Sequence, residues 1–228
     1  MKLEKGTIEG FKSNTVNYLL IRQEEVSARL SVVLPGAGYT AKAPLLHYAT
    51  NIHLHHGSDV LIVNYSYNEP FYDGFSMEEL SDAIRFDVAK IIDKVTAEFS
   101  YENFCLIGKS LGTIAMASEL ERPVFREAKA IWLTPLIQRS DVFDAMRTFP
   151  QSSLGFIGDE DPVYDAERCN QIKTNPQMEL QLVPGTDHSL EIPGKTLASI
   201  DILKEIMAEI EKFQKEEQVN DKNYHPKN

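Results

Sequence analysis

The sequence predicts an α/β protein with a mostly parallel central sheet and helices on both of its faces. Short apolar runs alternate with longer segments whose apolar residues recur at helical spacing. The runs are nearly continuous, which is typical of strands buried on both faces of a sheet. We expect the core of the sheet to consist of residues 60–63, 104–107, 130–133, 154–157 and 180–183.

Local patterns predict the remaining elements. Residues 16–22 and 28–34 have the composition of strands and are separated by a short polar turn, so we expect them to pair antiparallel at the sheet edge. Helices are predicted over 77–99, with Ser76 as N-cap, and over 197–213.

No repeat, linker or change in composition divides the chain, so a single domain is predicted over residues 1–213. Residues 214–228 are polar, and we expect a frayed tail there. No insertion is long enough for a separate cap domain. The segment 64–75 is placed to shape a pocket mouth, where its aromatic residues either contact substrate or pack beneath a loop: Tyr65, Tyr67, Phe71 and Tyr72.

Charge and cysteine usage exclude several classes of partner. The net charge is −11, whereas a nucleic acid or an anionic membrane surface requires clustered Lys and Arg. Cys105 and Cys169 lack the spacing of a disulfide framework or a metal site, so both are expected to be free thiols. The first residues lack the apolar core of a signal peptide. We therefore expect a cytoplasmic protein that binds neither nucleic acid nor membrane.

The most informative stretch is a Gly-x-Ser-x-Gly motif directly after an apolar strand, formed by Gly108-Lys109-Ser110-Leu111-Gly112. In a nucleophile elbow, a serine stands on a tight strand-to-helix turn where side chains at the glycine positions would collide with neighbouring backbone. Ser110 is therefore the candidate nucleophile. The free amide of Leu111 at the helix start is a candidate donor to an oxyanion.

Two other interpretations of this motif are weaker. A serine beside two turn glycines can simply cap a helix, but the buried strand before it disfavours that interpretation. Gly108-Lys109-Ser110 also resembles the end of a phosphate-binding loop. The first glycine of that loop would fall at Asn103, and residues 104–107 belong in a buried strand rather than in an amide cradle.

A serine nucleophile needs a histidine base and an acid, which follow this kind of elbow in the order Ser, acid, His. His188 is the candidate base because it lies on a turn just beyond the strand 180–183. His225, the other histidine downstream of Ser110, lies in the polar tail.

The acid is expected in the carboxylate-rich loop after the strand 154–157. Asp161 is preferred because Pro162 stiffens the chain immediately after it and the longer reach from Gly158 lets the carboxylate turn toward the His188 loop. Asp159 is the alternative, although an Asp after Gly is usually a turn residue.

A second oxyanion donor is expected after the strand 28–34, which runs into Pro35-Gly36-Ala37-Gly38. Glycines there permit close approach of the backbone, and the amide of Ala37 is the candidate donor. The alternative is an ordinary glycine turn into the next helix.

In this order the motifs resemble the α/β-hydrolase superfamily, in particular its small cap-less serine hydrolases akin to dienelactone hydrolase. The resemblance covers about residues 28–213. It implies the α/β-hydrolase fold and hydrolysis of an ester, thioester or related acyl bond of a small substrate, with no cofactor. Two departures from the family pattern are Pro35, in place of the common His before the oxyanion glycine, and Lys109 in the elbow. Neither removes a catalytic group.

Three questions stay open from sequence. A non-catalytic binding or scaffolding protein could keep the same fold. The oligomeric state is not determined, a homodimer included. The four histidines His47, His53, His55 and His56 lie near Asp59 and suggest a metal site. Because Gly57 is expected to end the helix before Asp59, a solvated helix end is favoured for them instead. Trp132 is expected in the core.

Overall fold

The structure, a computed structural model, describes residues 1–65, 67 and 69–222, with side chains up to residue 215. Strands and helices alternate along most of the chain, as predicted. In chain order they are β1 (Lys2–Glu9), β2 (Thr15–Arg22), β3 (Arg29–Leu34), α1 (Pro44–His55), β4 (Asp59–Asn64), α2 (Met77–Glu98), β5 (Asn103–Lys109), α3 (Gly112–Leu120), β6 (Lys129–Leu133), α4 (Ser140–Thr148), β7 (Ser153–Gly158), α5 (Ala166–Ile172), β8 (Met178–Val183) and α6 (Thr196–Lys222).

Within the described residues, eight strands form one sheet in the order β1-β2-β4-β3-β5-β6-β7-β8. Neighbouring strands from β4 onward in that order are parallel, whereas β2 is antiparallel to both β1 and β4. The predicted α/β class with a mostly parallel sheet is therefore confirmed. Because parallel strands share a carboxyl edge, the loops after β3, β5, β7 and β8 lie at the same edge of the sheet.

The predicted antiparallel pairing of residues 16–22 with 28–34 is wrong. β2 pairs with β1 and β4, and β3 lies between β4 and β5. The turn after β2 is held to the segment before β4 instead, since Gln23 Nε2 donates to the carbonyls of Leu54 and Ser58 at 2.8 and 2.9 Å. The apolar pattern does not predict β1, because Ile8 is the one buried residue of that edge strand.

Helices cover both faces of the sheet, and each face has its own apolar core. Helices α2 to α5 contribute to one core, which includes Ile84 and Ile114. Helices α1 and α6 contribute to the other, which includes Leu46 and Ile210. Helix α2 begins after Ser76, the predicted N-cap, in a capping box. All helices pack on the same sheet, and no described segment forms a cap over its carboxyl edge.

The last helix is longer than predicted. The apolar pattern ends at residue 213, but α6 continues to Lys222. Gln214 explains part of the difference, because it is polar and yet buried. Residues 223–228, the rest of the predicted tail, lie outside the described residues. None of the described helices, α6 included, is long and apolar enough to cross a membrane.

Ile200 and Ile210 form a matched pair for testing the packing of α6. Ile210 is fully buried, whereas Ile200 is 54% exposed. We expect Ile210→Ala to lower the free energy of unfolding by about 2–5 kcal/mol, because it leaves a cavity in the core. Ile200→Ala should lower it by less than about 1 kcal/mol. Urea unfolding followed by circular dichroism measures both, and equal losses would contradict the packing described here.

Candidate active site

Ser110 stands on a strained turn between β5 and α3. Its φ is 51°, in the left-handed region, and its amide donates to the carbonyl of Leu133 at 3.0 Å. A Cβ at Gly112 would lie 2.1 Å from the carbonyl oxygen of Leu34, and one at Gly108 would lie 2.7 Å from Met116 Sδ. Only glycine fits at these positions without displacing its neighbours, so the two glycines allow the turn that carries Ser110.

His188 lies in the loop after β8, and its imidazole reaches the serine. Ser110 Oγ is 2.7 Å from His188 Nε2, which is hydrogen-bond distance. On the other side of the ring, Nδ1 is 2.8 Å from Asp161 Oδ2. The structure thus brings together Ser110, His188 and Asp161 from three different loops at the carboxyl edge of the sheet.

Asp161 and Asp159 have different surroundings. The side chain of Asp161 is fully buried, and its second oxygen, Oδ1, accepts from the amide of Val163 at 2.9 Å. Asp159 is exposed and accepts from the amide of Gly185 at 2.5 Å, so it binds the turn before His188 rather than the imidazole. Of the two carboxylates considered from sequence, the structure places Asp161 on His188.

The loop after β3 lies against the serine. A Cβ on Gly36 would be 3.2 Å from Ser110 Cβ, and the hydroxyl of Tyr65 donates to the carbonyl of Pro35. The loop that carries Ala37 therefore packs directly beside the serine. Among the described residues, no acceptor is found for the backbone amides of Ala37 and Leu111.

The aromatic residues after β4 pack beneath this loop. The rings of Tyr65 and Tyr67 stack with centroids 4.7 Å apart, and both are buried, as is Tyr72. Tyr67 donates to Asp87 Oδ2 at 2.8 Å; burial of Asp87 raises the pKa of its carboxyl. Phe71 alone of the four aromatic residues considered from sequence is exposed.

No protein-family model matches the sequence, and no curated protein matches it either. Solved structures do match. An esterase from Pyrococcus furiosus superposes with a TM-score of 0.71 at 13% identity, over 94% of this chain and 92% of that one. A serine hydrolase without a lid from Xanthomonas campestris gives 0.67 at 19% identity, over 93% and 95%. A protein of unknown function from Agrobacterium tumefaciens gives 0.70 at 22% identity, over 95% and 97%.

The chain has the α/β-hydrolase fold. Ser110 occupies the turn after the central strand β5, where the resemblance of the motif predicted it. The phosphate-loop interpretation is wrong, because residues 104–107 lie inside β5 and the Lys109 ammonium is bonded within the protein.

Lys109 is the residue of this α/β-hydrolase elbow whose role the sequence does not reveal. It is buried, and its ammonium donates to Thr134 Oγ1 at 2.5 Å and to the carbonyl of His188 at 2.8 Å. Burial lowers the pKa of Lys109 to about 8, although the charges of Asp161 and Asp187 act in the opposite direction. A cation is therefore held inside the site, next to the proposed base.

The histidine cluster does not converge on a metal site. His53 is fully buried, so the expected solvated helix end is wrong for this residue, and Ser31 Oγ lies 2.7 Å from its Nδ1. Burial lowers the pKa of His53 to about 3, which keeps it neutral. No set of three potential metal ligands is found among the described residues. Trp132 is buried, as expected.

The buried lysine predicts a specific pH dependence of stability. Because the pKa of Lys109 is about 8 in the folded protein and 10.5 as the reference value, the unfolded state binds more protons between these values. The stability of the native protein relative to Lys109→Met should therefore rise by up to about 3 kcal/mol between pH 8 and pH 10.5. Urea unfolding of both proteins across this range measures it, and a constant difference would contradict the low pKa.

Proposed function

We propose that the protein is a serine hydrolase that cleaves an ester, thioester or related acyl bond of a small substrate. The observation that carries this proposal is the continuous pair of hydrogen-bond contacts, 2.7 Å from Ser110 Oγ to His188 Nε2 and 2.8 Å from His188 Nδ1 to Asp161. A nucleophile, a base and an orienting acid in this arrangement form a catalytic triad. Esterases among the solved structures of similar fold support the same chemistry.

The geometry supports an acyl-enzyme mechanism. His188 Nε2 accepts the proton of Ser110 as Oγ attacks the carbonyl carbon, and the carboxylate of Asp161 stabilises the resulting imidazolium. The amides of Leu111 and Ala37 form the oxyanion hole that receives the developing negative charge. The tetrahedral intermediate then collapses, and Nε2 returns the proton to the leaving alcohol or thiol. Water repeats the sequence on the acyl group of Ser110 and releases the acid.

The space beside the proposed oxyanion loop favours a small substrate. A cavity of about 350 Å³ borders the proposed oxyanion loop, with Gly36, Ala37 and Tyr65 in its wall. A pocket of this size lies at the lower end of the usual range for small-molecule sites. No described segment closes over it, so part of the substrate is expected to stay in contact with solvent.

The nucleophile and the base can be tested with a fluorophosphonate probe and with p-nitrophenyl acetate. We expect the native protein to be labelled and to hydrolyse the ester, and Ser110→Ala to do neither. His188→Ala should lower kcat by about 10³-fold or more, since a serine hydroxyl without a base is a weak nucleophile. Labelling of Ser110→Ala at the native rate would refute the proposal. A native protein that is neither labelled nor active would favour a binding role instead.

Asp161 and Asp159 provide a matched pair two residues apart. Asp161→Asn should lower kcat by about 10³- to 10⁴-fold, because an amide facing Nδ1 favours the wrong tautomer of His188. Asp159→Asn should stay within about threefold of the native kcat, since its remaining carbonyl oxygen can still accept from Gly185. Steady-state kinetics with the same ester measure both. The reverse ranking would assign the acid to Asp159.

A further inference from the structure

The ammonium of Lys109 connects several loops that form the site. It donates to Thr134 Oγ1, just beyond the end of β6, and to the backbone carbonyl of His188, in the loop after β8. It also lies 5.0 Å from the ring centroid of Tyr39, in the loop after β3. Lys109 itself is the last residue of β5, next to Ser110. One side chain thus contacts the three neighbouring loops at the edge where the triad lies.

A gain in folding free energy does not explain why a buried cation lies at position 109. Lys109 is 1% exposed, and among the described residues its ammonium forms no ion pair, since Asp161 pairs with His188. The charges of Asp161 and Asp187 favour the ammonium, but burial outweighs them and lowers the pKa of Lys109. Removing a charged ammonium from water is unfavourable, and two neutral acceptors compensate for only part of that loss. An apolar side chain of similar length would fill the space without this penalty.

Within residues 187–191, the other main-chain hydrogen bonds are internal. The amide of Asp187 donates to the carbonyl of Glu191, and the amide of Ser189 donates to the side chain of Asp187. Apart from the imidazole contacts, Lys109 provides the one hydrogen bond among the described residues that joins the main chain of residues 187–191 to the body of the sheet. The turn before His188 is held to the loop after β7 through Gly185 and Thr186, whereas the main chain of His188 itself is held by Lys109.

We propose that Lys109 is a positioning residue, which fixes the main chain of His188 so that its imidazole stays at hydrogen-bond distance from Ser110. This inference rests on the proposed serine-hydrolase function. The ammonium does not touch the reacting atoms and acts only through His188. A displacement of the base by about 1 Å is enough to lower the rate of the chemical step by about 100-fold, whereas it leaves the substrate pocket in place.

The test compares Lys109→Met with Lys129→Met. Lys129 is a matched control, because its ammonium also donates to a backbone carbonyl, that of Phe213 at 2.9 Å, and lies 4.8 Å from an aromatic ring centroid. It stands at the start of β6, at the opposite edge of the sheet from the triad. Both variants remove one lysine with the same kind of contacts, but only one of them contacts the His188 loop.

We expect Lys109→Met to lower kcat for p-nitrophenyl acetate by about 10- to 100-fold with KM within about threefold of the native value. The rate of fluorophosphonate labelling should fall by a similar factor, with an unchanged near-ultraviolet circular dichroism spectrum. Lys129→Met should stay within about twofold on both measures. A folded Lys109→Met with native kcat, or an equal loss of kcat in both variants, would overturn the proposal.

A second variant covers the case in which Lys109→Met does not fold. Thr134→Val removes one acceptor of the ammonium and keeps the shape of the side chain, so kcat should fall by about three- to tenfold at constant KM. A native kcat in Thr134→Val would then count against the proposal. Failure of the proposed function is separate, because it would appear as native activity in Ser110→Ala or as a native protein that is neither labelled nor active.

Discussion

Ser110 holds a left-handed backbone conformation, and the rest of the site depends on it. A residue with a side chain adopts this conformation at a cost of about 1–2 kcal/mol, so its surroundings must enforce it. Here the amide of Ser110 is bonded to Leu133 of the adjacent strand, and Gly112 brings α3 against the carbonyl of Leu34. The turn directs Oγ away from the sheet toward the loops. A relaxed turn would carry the hydroxyl away from His188.

The acid and histidine loops are fixed to each other as closely as the elbow is fixed to β3. A Cβ at Gly158 would lie 2.0 Å from the carbonyl oxygen of Thr186, so the two loops touch backbone to backbone. The amide of Glu160 donates to the same carbonyl at 3.1 Å, and Asp159 binds Gly185. Gly158, the last residue of β7, therefore brings Asp161 near His188. Without that approach, a carboxylate three residues beyond the strand would face solvent.

Features with a strong local pattern could be predicted from the sequence. Features that depend on contacts between distant segments were missed or stayed ambiguous. Buried parallel strands and the Gly-x-Ser-x-Gly turn have strong local signals, so the sheet core and the position of Ser110 could be predicted. β1 buries little and has no such signal. The choice between Asp161 and Asp159 depends on the contact between two loops. The contacts of Lys109 join residues 25 and 79 positions away, which no motif encodes.

The sheet edge at β1, which the apolar pattern does not predict, also contributes contacts to the site. The amide of Phe11, between β1 and β2, donates to Asp87 Oδ1 at 2.7 Å, and Tyr67 donates to the other oxygen of that carboxylate. Tyr67 stacks on Tyr65, whose hydroxyl holds the carbonyl of Pro35. A buried carboxylate requires such donors, and Asp87 thereby links the turn at Phe11 to the stacked rings of Tyr67 and Tyr65. A proline at position 35 has no backbone N–H, so its carbonyl is the main-chain group through which Tyr65 can hold the loop beside Ser110.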